Sequence, residues 1–109
     1  MEFLVNMRNQ IPATMDPQLH DDLYRAQGQR AAELSNEGRI KRLWRVPGRR
    51  ENWGLWEAPD ATTLHAALAS LPLWRYQDIE VIPLAGNGND PGSDDQTREL
   101  IKKMYPLGG

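Results

Sequence analysis

The chain has 109 residues, 13 Lys and Arg against 15 Asp and Glu, a net charge of −2 and no cysteine. That length predicts one domain with a modest core. The charge excludes the basic face that a nucleic-acid partner requires. The missing thiols exclude disulfides, a cysteine nucleophile and Cys-ligated metal. The two histidines, His20 and His65, stand far apart with no second His at ligand spacing, so no metal site is expected. No apolar run is long enough to span a bilayer. The first residues lack a signal peptide's basic region and long apolar stretch, and a cytoplasmic location is expected.

Residues 2–9 alternate, with Phe3, Val5 and Met7 on one face and Glu2, Leu4, Asn6 and Arg8 on the other, which predicts a strand. Asp16 then reads as a helix cap with Pro17 at the first helical position. The helix is expected to run to about Glu37 and to end at Gly38. Residues 39–47 predict a second strand, with Ile40, Arg42, Trp44 and Val46 sharing one face. A Pro47-Gly48-Arg49-Arg50 turn follows, and residues 51–58 return as a third strand. Asp60 caps a second helix with Leu64, Ala67, Leu68 and Leu71 on one stripe, and Pro72 breaks it. Residues 75–83 form the fourth strand.

That order predicts an α+β fold, a ferredoxin-like βαββαβ sandwich with both helices on one face of an antiparallel sheet, over residues 1–84. Residues 85–109 read as a flexible linker and a short C-terminal helix, with Ser93 and Gln96 as its capping box. Apolar side chains on both faces of the strands, Leu43 with Trp44 and Leu55 with Trp56, predict a second subunit on the open face.

On a helical wheel, Leu19, Leu23, Ala26 and Leu34 define the inward stripe of the first helix, and Gln27 and Arg30 fall inside it. Buried polar groups need partners. Two readings follow: a polar cavity between helix and sheet, or a solvated stripe edge with Arg30 reaching outward along its aliphatic stem. Gly28 is read as a mark of close packing. Arg42, on the strand face of Trp44, has the planar fork that holds a carboxylate. Asn52 and Tyr76 could donate to a carbonyl or a developing enolate. Ordinary structural roles fit each of these residues as well. His20 beside Asp21 and Asp22, and the Arg49-Arg50-Glu51 turn, read as solvated charge. His65 reads as solvated or capping.

An ordered set of residues carries a family resemblance. It comprises Phe3, Val5 and Met7; Pro12; Met15-Asp16-Pro17; Leu23; Glu37-Gly38; Leu43-Trp44-Arg45; Gly48; Asn52; Leu71-Pro72-Leu73; and Tyr76 with Asp78-Ile79-Glu80-Val81. Residues 1–84 resemble the muconolactone isomerases of aromatic catabolism. The resemblance implies a ferredoxin-like fold, a homo-oligomer (a decamer in the family) with sites at subunit contacts, and a small-molecule substrate from an aromatic pathway. It also implies a proton shift in a carboxylated lactone with no cofactor and no metal. Gln27, Tyr76 and Asn52 are the implied catalytic positions, and Arg30, Arg42 and Trp44 the implied substrate contacts. Where the family has its proton-shuttling glutamate this chain has Gln27, and where the family has a histidine it has Arg42. A glutamine cannot accept and return a proton at neutral pH. Another acid, Asp22 or Glu51, would then relay it. A sibling enzyme acting on a different aromatic catabolite, and a non-catalytic small-molecule binding protein, stand as the other expectations.

Overall fold

A computed structural model describes residues 1–105. Four strands form one antiparallel sheet: β1 (Glu2–Asn9), β2 (Ile40–Arg45), β3 (Glu51–Glu57) and β4 (Gln77–Leu84), in the spatial order β2-β3-β1-β4. Helix α1 (Pro17–Asn36) joins β1 to β2, α2 (Ala61–Ala69) joins β3 to β4, and α3 (Asp95–Met104) follows the sheet. This is the expected βαββαβ order with a C-terminal helix. The last four residues of the expected tail, 106–109, lie outside the described residues.

The helix boundaries follow from local chemistry. Asp16 Oδ2 accepts the Leu19 N–H at 3.0 Å, and Pro17 occupies the first helical position, where its missing N–H costs nothing. At the other end Gly38 adopts φ +82°. Its N–H reaches the Ser35 carbonyl while the Arg39 N–H reaches that of Leu34. That pair of bonds is the Schellman stop, and its left-handed residue favours glycine. Asp60 caps α2 through the Thr63 N–H at 2.7 Å. The cap of α3 is Asp94, whose Oδ1 accepts from Thr97 N, and not Ser93; a carboxylate one residue later is the better acceptor.

The core lies between α2, the C-terminal part of α1 and one face of the sheet. Phe3, Val5 and Met7 from β1 and Trp56 from β3 meet Leu64, Leu68 and Leu71, with Leu34 closing the end nearest β2. Gly54 sits between Val5 and Leu43 in register. A Cβ there would lie 2.7 Å from the Trp56 indole nitrogen and 2.9 Å from Leu43 Cδ2.

Two expectations are corrected. The pairing of β2 with β3 slips between Ile40 and Arg42, so Lys41 forms a bulge. A single extra residue reverses the alternation beyond it. Ile40, opposite Trp56, faces the helices, whereas Arg42 and Trp44, opposite Leu55 and Trp53, face the open side. Leu43 and Arg45 are thereby turned to the helix side. The fourth strand also starts later than expected, because Trp74–Tyr76 form a 3-10 turn before Gln77. Tyr76 therefore closes a turn, and its carbonyl accepts the Gln10 N–H at 2.7 Å.

The two capping aspartates make a pH prediction. Bonds from Thr63, through its backbone N–H first, hold the Asp60 carboxyl below its ordinary value of 3.8. Bonds from Thr97 do the same for Asp94. A carboxyl titrating lower in the folded chain adds stability that is fully present above the ordinary value. That stability is lost as pH falls through the lower, folded value. In the Asp60→Asn variant the amide oxygen would still accept the Thr63 N–H but would not titrate. Denaturant unfolding at neutral pH and below the ordinary Asp range should therefore show Asp60→Asn losing less stability on acidification than the parent chain.

Candidate functional site

The N-terminal half of α1 contributes no residue to the buried core. Leu34 is the one buried residue of the helix, and Leu19, expected inward, is 46% exposed. Ala31, which the wheel did not single out, packs on the core instead. Toward the sheet, the first three turns present Pro17, His20, Asp21, Tyr24, Gln27 and Gly28, spaced as one helical stripe. Beneath that stripe is a cavity of about 840 Å³. Its remaining walls are Met7, Asn9 and the 11–15 connection after β1, the end of β2 with the turn into β3, and Leu73 with Gln77.

Of the six expected site residues, the cavity wall includes Gln27 and Asn52. Gln27 Oε1 accepts the buried Leu73 N–H at 3.0 Å. Because that donor is a backbone N–H, the amide orientation is determined, and the Gln27 NH₂ remains available as a donor. Asn52 lies on the helix face opposite Met7 and Arg45. Its Oδ1 and Gln77 Oε1 are buried without a hydrogen-bond partner. Such unpaired acceptors are uncommon in folded chains and cost free energy where they occur.

Arg30 is on the same helix but points elsewhere. Its Nε donates to Ser70 Oγ at 2.9 Å, and its Nη1 lies 2.8 Å from Glu33 and 3.7 Å from Glu37. It thus ties α1 to the end of α2, away from the large cavity. Arg42 lies over Trp44, its guanidinium carbon 5.1 Å from the ring centroid, on the open face of the sheet. The Lys41 bulge put them there. Tyr76 is half-buried in its turn beside Gln77 and is not among the residues lining the cavity. Asp22 bonds Gln18 and Arg25 on the outer side of α1. His65 is exposed and meets Trp74 edge-on at 5.4 Å.

The Arg49-Arg50-Glu51 turn, read as solvated charge, and Arg45 at the end of β2 bring charge to the cavity wall. Arg45, Arg49, Arg50 and Glu51 all line the cavity. Glu51 is occupied: Oε1 lies 2.6 Å from Arg49 Nε and Oε2 accepts from Asn6 Nδ2 at 2.9 Å. Asn6 is itself buried and accepts from Arg8 Nε at 3.1 Å, which completes its bonding. Arg45 and Arg50 have no carboxylate partner among the described residues. The helix side carries a second group that sequence reasoning passed over. His20 Nδ1 lies 3.1 Å from Asp21 Oδ1, and the imidazole stacks on Tyr24 with centroids 4.6 Å apart. The Tyr24 hydroxyl accepts a bond from Asn9 at the end of β1. The signal was present in the sequence as the spacing 20, 24, 27 and 28, one face of a helix that continues polar where its C-terminal half turns apolar. No group of three or more His, Cys, Asp or Glu side chains among the described residues is placed to hold a metal ion. No helix among them is long and apolar enough to cross a membrane.

Gly28 faces open space: a Cβ built there meets nothing within 4 Å. The expected close packing is absent because the cavity lies there. The two glycines should therefore respond oppositely to alanine. Gly28→Ala should stabilise the chain by roughly 0.5–1 kcal/mol through helix propensity alone. Gly54→Ala should destabilise it by about 1–3 kcal/mol, since the 1%-exposed Trp56 has nowhere to move. Urea midpoints of the two variants check both signs.

Comparison with known proteins finds relatives along most of the chain. Residues 1–90 match the family model described as muconolactone delta-isomerase. The chain is 35% identical to the muconolactone delta-isomerase of Pseudomonas aeruginosa, over 88% of this chain and all of that one. It is 33% identical to that of Rhodococcus opacus, over 81% and 95%. Among solved structures, a muconolactone isomerase crystal structure superposes with a TM-score of 0.81 at 36% identity, covering 87% of this chain and 99% of that one. A 5-chloro-2-hydroxyhydroquinone dehydrochlorinase from Burkholderia phenoliruptrix shares the fold, with a TM-score of 0.60 at 17% identity over 80% and 96% of the two chains.

Proposed function

Since the chain belongs to the muconolactone delta-isomerase family, we propose that it catalyses a cofactor-free proton shift in a small carboxylated lactone of aromatic catabolism. The observation that carries this reading is the pair of guanidiniums, Arg45 and Arg50, without a carboxylate partner on the wall of a cavity large enough for such a molecule. A planar guanidinium binds a carboxylate through two parallel bonds. The carboxylate clamp is therefore assigned to these two residues, in place of Arg42 and Arg30. The Gln27 NH₂ and the Asn52 side chain are the neutral donors suited to the lactone carbonyl, where negative charge grows through the conjugated double bond as the ring proton leaves. Tyr76 and Trp44 would contribute only indirectly, Tyr76 by holding the turn that presents Gln77.

Ultraviolet absorbance of the purified protein with muconolactone tests the reading. The parent chain should isomerise it. Arg45→Met and Arg50→Met should each raise KM by roughly 10- to 100-fold, the value of a hydrogen bond to a charged group. Failure of the parent chain to turn muconolactone over would overturn the reading. The amide at Gln27, where the family has glutamate, favours one second reading: a sibling reaction on another aromatic catabolite, with Gln27 binding a neutral ring substituent.

We also propose a homo-oligomer assembled through the open sheet face. Leu4, Trp53 and Leu55 are partly covered there, while Trp44, Ile82 and Leu84 are 42%, 37% and 39% exposed on the same side. A contiguous apolar patch of that kind marks an association surface. Light scattering should give a mass well above the 12.4 kDa of one chain, and Ile82→Glu should lower it. A monomeric parent chain would refute the assembly.

A further inference from the structure

We propose that His20, held by Asp21 and Tyr24, is the proton carrier of the cavity. The inference rests on the isomerase reading above and supplies the group that reading lacks.

Few of the cavity's side chains can carry a proton. Gln27, Asn52, Gln77 and Asn9 are amides and cannot take up a proton near neutral pH. Arg45, Arg49 and Arg50 are permanently charged. Both oxygens of Glu51 are engaged, one by Arg49 and one by Asn6. Neither oxygen is left free to meet a ligand. Tyr24 is a poor base at neutral pH. That leaves His20 and Asp21, which are bonded to each other.

The bond decides the division of labour. A carboxylate on Nδ1 fixes that nitrogen as the N–H end of the neutral ring and leaves Nε2 as the basic atom. Nε2 has no hydrogen-bond partner among the described residues. The ring is also held in place. It stacks on Tyr24, and the Tyr24 hydroxyl is bonded to Asn9, whose Oδ1 accepts the Ile11 N–H at 2.8 Å. The base is thus tied to the end of β1, in the cavity that the two unpaired arginines also line. A base aligned by a carboxylate and fixed by a neighbour is an arrangement suited to proton transfer from carbon.

The step balances without any further reagent. Nε2 takes a proton from the ring carbon beside the lactone double bond. The C–H electron pair moves into the ring, the double bond shifts, and negative charge reaches the carbonyl oxygen. The imidazolium then returns the same proton to the carbon next to the carbonyl, and the neutral imidazole is regenerated. Substrate and product are isomers, and nothing is oxidised or reduced.

The test is muconolactone turnover by the full chain, followed by ultraviolet absorbance, with His20→Ala, His20→Gln, Asp21→Asn and Asp22→Asn. His20→Ala and His20→Gln should lose roughly 100- to 10,000-fold in kcat with KM little changed, and added imidazole should restore part of the rate to His20→Ala. Asp21→Asn should lower kcat by about tenfold, again without a change in KM, the mark of a positioning residue. Asp22→Asn, on the outer side of the helix, should match the parent. If the parent turns over muconolactone and folded His20→Ala keeps its kcat to within about threefold, the role of His20 is overturned while the isomerase reading stands. If the parent does not turn over muconolactone, both are overturned together.

Discussion

The architecture depends on one asymmetry in α1. The helix is twenty residues long, yet only its C-terminal part joins the buried core. Leu34 and Ala31 bind that part to the core, and the Schellman stop at Gly38 fixes where it must end. Apolar burial is the main force pressing a helix onto a sheet, so where it lapses the helix can stand off. The N-terminal half then spans a gap, held at intervals by single polar contacts. Asp16 caps its start, Tyr24 reaches Asn9, and Gln27 reaches the Leu73 N–H. The cavity is the space that this arrangement leaves unfilled.

The same asymmetry distributes the charge. The helix side of the cavity offers an imidazole, a carboxylate, a phenol and an amide, while the strand side offers arginines from the β2–β3 turn. One carboxylate on the strand side, Glu51, is neutralised by Arg49 and bound by the buried Asn6. That leaves Arg45 and Arg50 to set the sign of the potential on that wall. On the proposed reading, a small anion would be drawn to these arginines, with its reactive carbon left toward the helix. Polar groups held by second partners in this way cost little reorganisation when a ligand's charge develops.

The fold was legible in the sequence because it rests on short-range signals: alternation in β1, caps at Asp16 and Asp60, a glycine at position 38 and a proline at 72. The site was legible only in part. Gln27 and Asn52 could be placed because they lie on regular stretches, where periodicity maps directly onto a face. Arg42 and Trp44 could not, because the Lys41 bulge inserts one residue into β2 and nothing in the local pattern announces it. Arg30 fits the inward wheel, but the wheel does not show that Ser70, Glu33 and Glu37 meet it at the end of α2. Arg45, at the end of β2, and the turn residues Arg49 and Arg50 were hidden for the opposite reason: exposed arginines are usually just solvated, and these stay exposed while lining the cavity.

Gln27 shows how one side chain can serve both fold and site. Its oxygen is consumed by the Leu73 N–H, a bond that ties α1 to the connection between α2 and β4. A glutamate in that place could make the same bond with one oxygen and keep the other for proton transfer. A glutamine can make it only with its single oxygen, and what remains is a donor. Compared with a glutamate, the amide keeps the bond that shapes the cavity and offers no base there. A reaction that moves a proton must then find its base elsewhere on the same wall. Two helical turns earlier, on the same stripe, the chain carries His20, with a carboxylate on one ring nitrogen and an aromatic face against the ring.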